Sequence, residues 1–294
     1  MKTSNPLNVL ALSGVPLKKR FLTRRLIKLL IGTILIVVVG LILQENLQIE
    51  GLWFYLVSGV FGAAVLHFLI PKIFGPIVFG RLFCGYACWT AMVLDFLPHK
   101  RSPGVVLAWG KYRYVHFAIS LAVVILAFTV FQQHPFAQPD TNLVELAGVS
   151  IKLPSFQPLT QLDTASYAFR WFMIGNALYF AVSIGLAFKL KDNRAFCKYV
   201  CPITLFLKAA SRLALIKIDT RQDDCTECGK CDRVCPMDIK ISEYVKQGSR
   251  VLSTECILCS TCVDVCPTDA LFWSVKRDLG GKEYLREREP APTD

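Results

Sequence analysis

The sequence predicts a membrane α-helical fold, in which four transmembrane helices form two repeated hairpins and a small C-terminal α+β module follows. Three observations predict it. Four apolar stretches are long enough to cross a bilayer, at 26–43, 52–70, 114–131 and 171–188. One eight-residue motif recurs after the second and the fourth stretch. Eight of the twelve cysteines fall into two copies of one run near the C-terminus.

Residues 1–25 are a basic entry segment carrying Lys18, Lys19, Arg20, Arg24 and Arg25, with Lys28 just beyond. The four-helix part is expected over 26–216. Buried helices of a soluble domain would show polar stripes at the helical period, and none is visible within 31–43 or 121–131. The loop after the first stretch holds Glu45 and Glu50 and no base, whereas the next holds Lys100, Arg101, Lys111 and Arg113. Residues 132–170 are nearly base-free, with Asp140, Glu145 and Asp163, and Lys189, Lys191, Arg194 and Lys198 follow the fourth stretch. The positive-inside rule then puts both termini in the cytoplasm of a bacterial cell (inner) membrane protein with several passes. A cleaved signal peptide is not expected, because the short apolar run 7–17 precedes its basic cluster.

Composition excludes other classes. The net charge is +11, but residues 1–216 carry 21 basic and 7 acidic side chains while 217–275 carry 7 and 10. The excess lies beside the spans as a topology signal, so no nucleic acid partner is expected. No G-x-G-x-x-G or P-loop pattern occurs, so no nucleotide cofactor is expected either.

The repeated motif is R-x-F-C-x-Y-x-C. It runs from Arg81 through Phe83, Cys84 and Tyr86 to Cys88, and from Arg194 through Phe196, Cys197 and Tyr199 to Cys201. Two hairpins of equal orientation are most simply related by a pseudo-twofold axis along the membrane normal. That would bring Cys84, Cys88, Cys197 and Cys201 together near one axis as a candidate redox or metal site, with soft sulfur ligands suited to iron, an iron-sulfur unit or copper. Cysteines four apart on a helix share a face, and Arg81 and Arg194 would favour thiolates. The alternative is that the four are small packing residues. After the second motif, Lys208 and Arg212 lie four apart on an apolar segment, which suits a helix at the membrane interface. His67, His116 and His134 are candidates for haem ligation or a quinone contact, or simply for satisfying a polar neighbour.

The C-terminal runs are Cys225, Cys228, Cys231, Cys235-Pro236 and Cys256, Cys259, Cys262, Cys266-Pro267, each spaced C-x2-C-x2-C-x3-C-P. This is the bacterial ferredoxin spacing, in which three thiolates of one run and the fourth of the other hold each 4Fe-4S cube. One cluster falls to Cys225, Cys228, Cys231 and Cys266, the other to Cys256, Cys259, Cys262 and Cys235. A zinc ribbon would leave the third cysteine of each run idle, and disulfides do not suit a reducing compartment. Residues 217–275 thus read as a double 4Fe-4S ferredoxin domain, with short strands at 215–218, 251–253 and 271–275. Residues 276–294, with Gly280-Gly281 and Pro290, read as a flexible tail.

Over about 20–275 the chain resembles the NapH/MauN-type membrane polyferredoxins, relatives of the NosR, PceC and CcoG iron-sulfur membrane proteins. Cys84 and Cys88 match the first family motif; Cys197, Cys201 and Pro202 match the second. Trp89 stands where the first motif expects proline. The resemblance implies electron transfer between a quinone pool or cytoplasmic donor and a redox partner protein, as a component of a quinol dehydrogenase. Two other roles use the same residues: a CcoG-like copper reductase or maturation factor, and a redox sensor or scaffold subunit.

Overall fold

The computed structural model describes residues 17–43, 46–58, 63–99, 102–130, 142–146, 149–153 and 162–288. The N-terminal run 7–17 lies almost wholly outside them, as do His134 and residues 289–294.

Helix α1 (Leu17–Ile34) continues through wide π-type turns over Leu35–Ile42. Helices α2 (Ile49–Ser58) and α3 (Ala63–Phe68) follow, then π-type turns over Leu69–Phe74 and α4 (Gly75–Phe79). The first motif occupies α5 (Leu82–Tyr86) and the start of α6 (Trp89–Leu94). A 3-10 turn at Leu107–Lys111 leads into α7 (Tyr112–Thr129). A two-stranded antiparallel hairpin, β1 (Asn142–Leu146) and β2 (Val149–Leu153), precedes the long α8 (Leu162–Leu190). The second motif fills α9 (Ala195–Tyr199) and the approach to α10 (Thr204–Ser211). The C-terminal module comprises β3 (Ile216–Thr220), α11 (Lys230–Val234), α12 (Ile241–Lys246), α13 (Thr261–Val265) and β4 (Leu271–Val275).

Among the described residues three helices are long and apolar enough to cross a membrane, Phe21–Ile42, Leu107–Ala127 and Phe169–Leu190, and a shorter apolar helix covers Val65–Phe79. The expected second span, 52–70, is not one crossing. Lys72 Nζ donates to the Leu47 carbonyl at 3.3 Å, whereas 25 residues of straight helix would separate them by about 37 Å. The chain therefore reverses between α2 and α3. Pro71 removes a ladder donor inside the apolar run and coincides with the π-type turns. Glu50, read as a loop residue, lies in the first turn of α2.

Strands β3 and β4 pair antiparallel, Ile216 opposite Val275 and Thr220 opposite Leu271. The expected strand at 251–253 is extended chain tied by the Val251 amide to the Ile218 carbonyl at 2.8 Å. The module's core joins Ile218, Met237, Ile239, Tyr244 and Leu271, and Cys84 of the membrane part lies in the same cluster.

Residues 276–288 correct the expectation of a flexible tail. The Gly280 amide donates to the Arg212 carbonyl at 2.7 Å and the Gly281 amide to Leu252 at 2.8 Å. Leu285 forms a β-bridge with Ile239 and Glu287 one with Val105. Arg286 pairs with the buried Asp238 at 2.6 Å. The segment is a strap that runs back from β4 over the module to the 102–106 loop of the membrane part. It stays in place because its glycines permit close approach: a Cβ at Gly280 would stand 3.1 Å from the Leu252 carbonyl.

Candidate iron-sulfur and four-cysteine sites

The two C-terminal cysteine runs share a backbone device. Left-handed residues fall at Glu227, Gly229 and Asp238 in the first and at Leu258, Ser260 and Asp269 in the second. Each trio is the other displaced by the same 31-residue offset that takes Cys225 onto Cys256. Two of the three flank the middle cysteine, Cys228 or Cys259. Positive φ costs a residue with a Cβ roughly 1–2 kcal/mol, and here it turns the loop so that successive sulfurs face one volume. Gly229 and Ser260 then open α11 and α13. The Glu227 amide donates to Cys225 Sγ at 3.4 Å and the Thr261 hydroxyl to Cys259 Sγ at 3.3 Å, both of which suit a charged sulfur.

Cys235, Cys256, Cys259 and Cys262 line one cleft with about 380 Å³ of empty space, its open mouth included, and Pro236 and Met237 complete the wall. These are the four residues that the crossed pattern assigns to one cube, with Cys235 contributed by the other run. Their mutual repulsion adds to burial in pushing Cys262 well up, and burial likewise raises Cys256 to about 12. Four thiols so placed fit a multiply charged iron-sulfur group, which would displace their protons. Of the other set, Cys225, Cys231 and Cys266 are partly buried and Cys228 is exposed. Among the described residues no three or more His, Cys, Asp or Glu side chains are gathered for a single ion.

The membrane motifs repeat in three dimensions. The Phe83 carbonyl accepts from both Ala87 and Cys88 amides at 2.9 Å, and the Phe196 carbonyl accepts from Val200 and Cys201 at the same distances. Each helix therefore stops before its second cysteine, and Cys88 is extended with ψ 118° ahead of α6. The expectation that each pair shares one helix face does not hold; a short helix carries the first cysteine and the turn after it carries the second.

The two motifs are nonetheless neighbours, bridged by Arg194. Cys88 feels the charges of Cys84 and Cys197, and Cys201 those of Cys197, Cys84 and Cys88. Arg194 Nη1 lies 4.0 Å from Cys197 Sγ and 3.4 Å from the Cys84 carbonyl, linking the two motifs. Burial, reinforced by that mutual repulsion, pushes the Cys88 thiol up to about 11 and raises Cys201; burial also raises Cys197. Arg194 and Arg81 do favour the Cys197 thiolate as expected, but burial outweighs them, and each arginine is also bound to a carboxylate. Arg81 meets Glu255 at 2.5 Å and Arg194 meets Asp95 at 2.6 Å.

Glu255, one residue before Cys256, joins the module to the membrane part. Arg81, Arg113 at 2.8 Å and Lys208 at 2.7 Å all reach its carboxylate. Burial alone would raise this carboxyl, but the three cations outweigh it and hold it well below the ordinary range. Lys208, expected at a lipid interface, faces the module instead. At the N-terminal side Arg24 pairs with Asp264 and donates to Thr261 at 3.3 Å, so α1 also grips α13.

Trp89, at the proline position, donates from Nε1 to Asn176 at 3.1 Å and ties α6 to α8. His116 spends Nδ1 on the Val200 carbonyl at 2.9 Å and Nε2 near the Tyr179 hydroxyl at 3.3 Å, which leaves no nitrogen for haem iron. The Tyr179 hydroxyl donates to Glu50 at 3.1 Å. His67 packs against Phe83 and Trp89, and its Nε2 is buried without a hydrogen-bond partner. Lys72, Asp95 and Glu255 were not singled out in the sequence, although an ionisable residue inside an apolar run is itself a signal, and Lys72 is one.

Family models for iron-sulfur proteins match the stretches that contain both cysteine sets. A 4Fe-4S dicluster domain model matches residues 224–271, and a 4Fe-4S binding domain model matches twice, at 53–105 and 174–221. The second pair of matches covers both membrane motifs, one in each copy. An uncharacterised protein of Methanocaldococcus jannaschii is 25% identical over 210 residues, 67% of this chain and 70% of that protein. YccM of Escherichia coli, named for electron transport, is 28% identical over 38% of this chain and 36% of its own. The methylamine utilization ferredoxin-type protein MauN of Paracoccus denitrificans is 34% identical over 22% of this chain and 24% of MauN. No solved structure matches. The chain thus carries 4Fe-4S domains and membrane-length apolar helices, and is similar to ferredoxin-type and electron transport proteins. Its domains and relatives support a NapH/MauN-like membrane polyferredoxin family.

Proposed function

We propose that this protein moves electrons between a soluble or membrane donor and a redox partner, through two ferredoxin-type 4Fe-4S clusters and a third centre on Cys84, Cys88, Cys197 and Cys201. One observation carries the reading. Gly85 packs directly on the loop of the second run, where an added Cβ would lie 2.4 Å from the Ile257 carbonyl oxygen and 3.7 Å from the Cys259 amide. The two sulfur sets therefore abut with no side chain of residue 85 between them.

An iron-sulfur cube supplies one-electron chemistry without a protein acid or base. The chain's contribution is spacing and charge. Cys228 is exposed and offers an edge where a soluble partner can approach, while Cys84 and Cys197 are buried. Quinol is the membrane substrate that suits this end. Supporting it are the Glu50–Tyr179–His116 chain and the buried, unpartnered polar atoms Gln48 Nε2 and Glu50 Oε2, which lie among the apolar helices. Oxidising a quinol releases two electrons and two protons, and the bundle offers polar groups for the latter. The module and the start of α1 share one face, which the distribution of basic residues assigns to the cytoplasm of a bacterial inner membrane.

Anaerobic purification followed by iron and sulfide analysis tests the centres, and quinol-driven reduction tests the substrate. A Cys84→Ser, Cys197→Ser double variant should lose the third centre's metal and quinol-linked reduction while retaining the two ferredoxin clusters. Full metal content and full transfer in that variant would end the three-centre reading, and copper(II) reduction without quinone would favour a metal reductase instead. Alkaline-phosphatase fusions should be silent at Thr220 and active at Pro154.

A further inference from the structure

Lys72 is fully buried, at 0% exposure, against the rings of Phe83 and Trp89, the sequence neighbours of Cys84 and Cys88. It lies within electrostatic reach of Cys88, Cys201 and Cys84. Its ammonium sits 3.6 Å from the centroid of the Phe68 ring, 5.1 Å from Trp89 and 5.5 Å from Phe83. One carbonyl, that of Leu47 at 3.3 Å, accepts a hydrogen bond from it. Among the described residues no carboxylate pairs with it. The other buried cations near the cysteines are each matched: Arg81 and Arg113 by Glu255, Arg194 and Lys28 by Asp95.

A buried ammonium with no anion is costly, on the order of several kcal/mol. Aromatic faces recover part of this, about 2 kcal/mol when desolvated. The groups left to balance it are the sulfurs. Its placement is also built in: the π-type turns at Leu69–Phe74 contain Lys72 itself, and Gly75 is needed there because a Cβ would meet the Ile70 carbonyl at 2.6 Å. The corresponding stretch of the second copy, 171–188, contains no basic residue. The repeat is thus charged on one side only.

We propose that Lys72, in its protonated form, is the positioning charge of the four-cysteine centre, a cation that favours its more negative, electron-rich state and so raises its reduction potential above that of the same four sulfurs alone. This rests on the reading of those cysteines as a redox centre. The electron gained adds one negative charge to the sulfur set, and the ammonium in its aromatic box is the compensating charge already in place.

The test is an EPR-monitored redox titration of the whole detergent-solubilised protein as wild type, Lys72→Gln, Lys72→Met and Lys72→Arg. In the neutral variants the signal lost in the Cys84→Ser, Cys197→Ser protein should bind its electron at least tenfold less well. For a one-electron couple that is a downward shift of about 59 mV. The two ferredoxin signals should stay where they are, and Lys72→Arg should remain near wild type. Loss of this centre's iron in both neutral variants with retention in Lys72→Arg reads the same way, since the charge is then needed to hold the set. An unshifted signal at full iron content in Lys72→Gln would overturn the proposal. A wild-type protein whose iron and signals are all accounted for by the eight C-terminal cysteines removes the underlying reading, and does so before any Lys72 variant is made.

Discussion

Gly85 and Ile257 are in backbone-to-backbone contact across the join of the two halves: a Cβ on residue 85 would stand 2.4 Å from the Ile257 oxygen. Gly85 follows Cys84 and Ile257 follows Cys256, so this contact joins the backbones that carry two cysteine sets 172 residues apart in sequence.

Gly85→Val should push the second ferredoxin loop away from the membrane motif. Overpacking of this kind costs about 1–3 kcal/mol. Iron content should be unchanged, while electron exchange between the two sets slows, because tunnelling falls steeply with distance. Stopped-flow reduction of the pre-oxidised protein checks this; an unaltered rate would mean that the contact is structural only.

Glu255→Ala should be among the most destabilising single changes outside the cysteines. It strands Arg81 and Arg113, both buried, with Lys208 at the rim. Breaking a buried ion pair from one side costs about 3–5 kcal/mol. Thermal unfolding in detergent at neutral pH is the measurement.

The same network fixes a pH dependence. The folded-state pKa of Glu255 is depressed, so its stabilisation is complete above the unfolded value of roughly 4.3 and is lost progressively as pH falls below it. Unfolding midpoints measured from pH 6 down to pH 3 should fall in the wild type and flatten in Glu255→Gln.

Cys266→Ser should damage the cluster of the first run, Cys225, Cys228 and Cys231, because the fourth thiolate is exchanged between runs. About four of the eight ferredoxin irons should go, with the signal of the Cys235, Cys256, Cys259 and Cys262 set persisting. A lesion confined to that second set would refute crossed ligation.

Removing the strap by a stop after Lys276 should loosen the module without removing its clusters. It deletes the Arg286–Asp238 pair, the bridges of Leu285 and Glu287, and the Asp278 carboxylate shared by Lys217 and Arg250. Faster hydrogen exchange at 102–106 and 239–244 is expected; unchanged exchange would show that the strap adds no stability.

What could be read from the chain were the features written in local spacing. Cysteine intervals gave both runs and both membrane motifs, since ligands to one cluster must sit at fixed short separations. The repeat was legible because Arg, Phe, Cys and Tyr recur at the same positions, and the family models match it in the same two places. What could not be read depended on partners far away in sequence. Glu255 looked like one acid among ten in its module, and only three-dimensional convergence of Arg81, Arg113 and Lys208 sets it apart. Gly280-Gly281 suggested a loose tail, whereas the pair is there to let backbone meet backbone. In 52–70 the hydropathy is continuous, yet the chain turns back between α2 and α3, as the Lys72–Leu47 contact requires.

The module is held at three separate points: by α1 through Arg24, by the Glu255 cluster beneath it, and by the strap above. Swinging is therefore not part of its working cycle. Transfer inside the chain should proceed at a rate indifferent to solvent viscosity, and any dependence on glycerol must arise in the encounter with a partner at the exposed Cys228 edge.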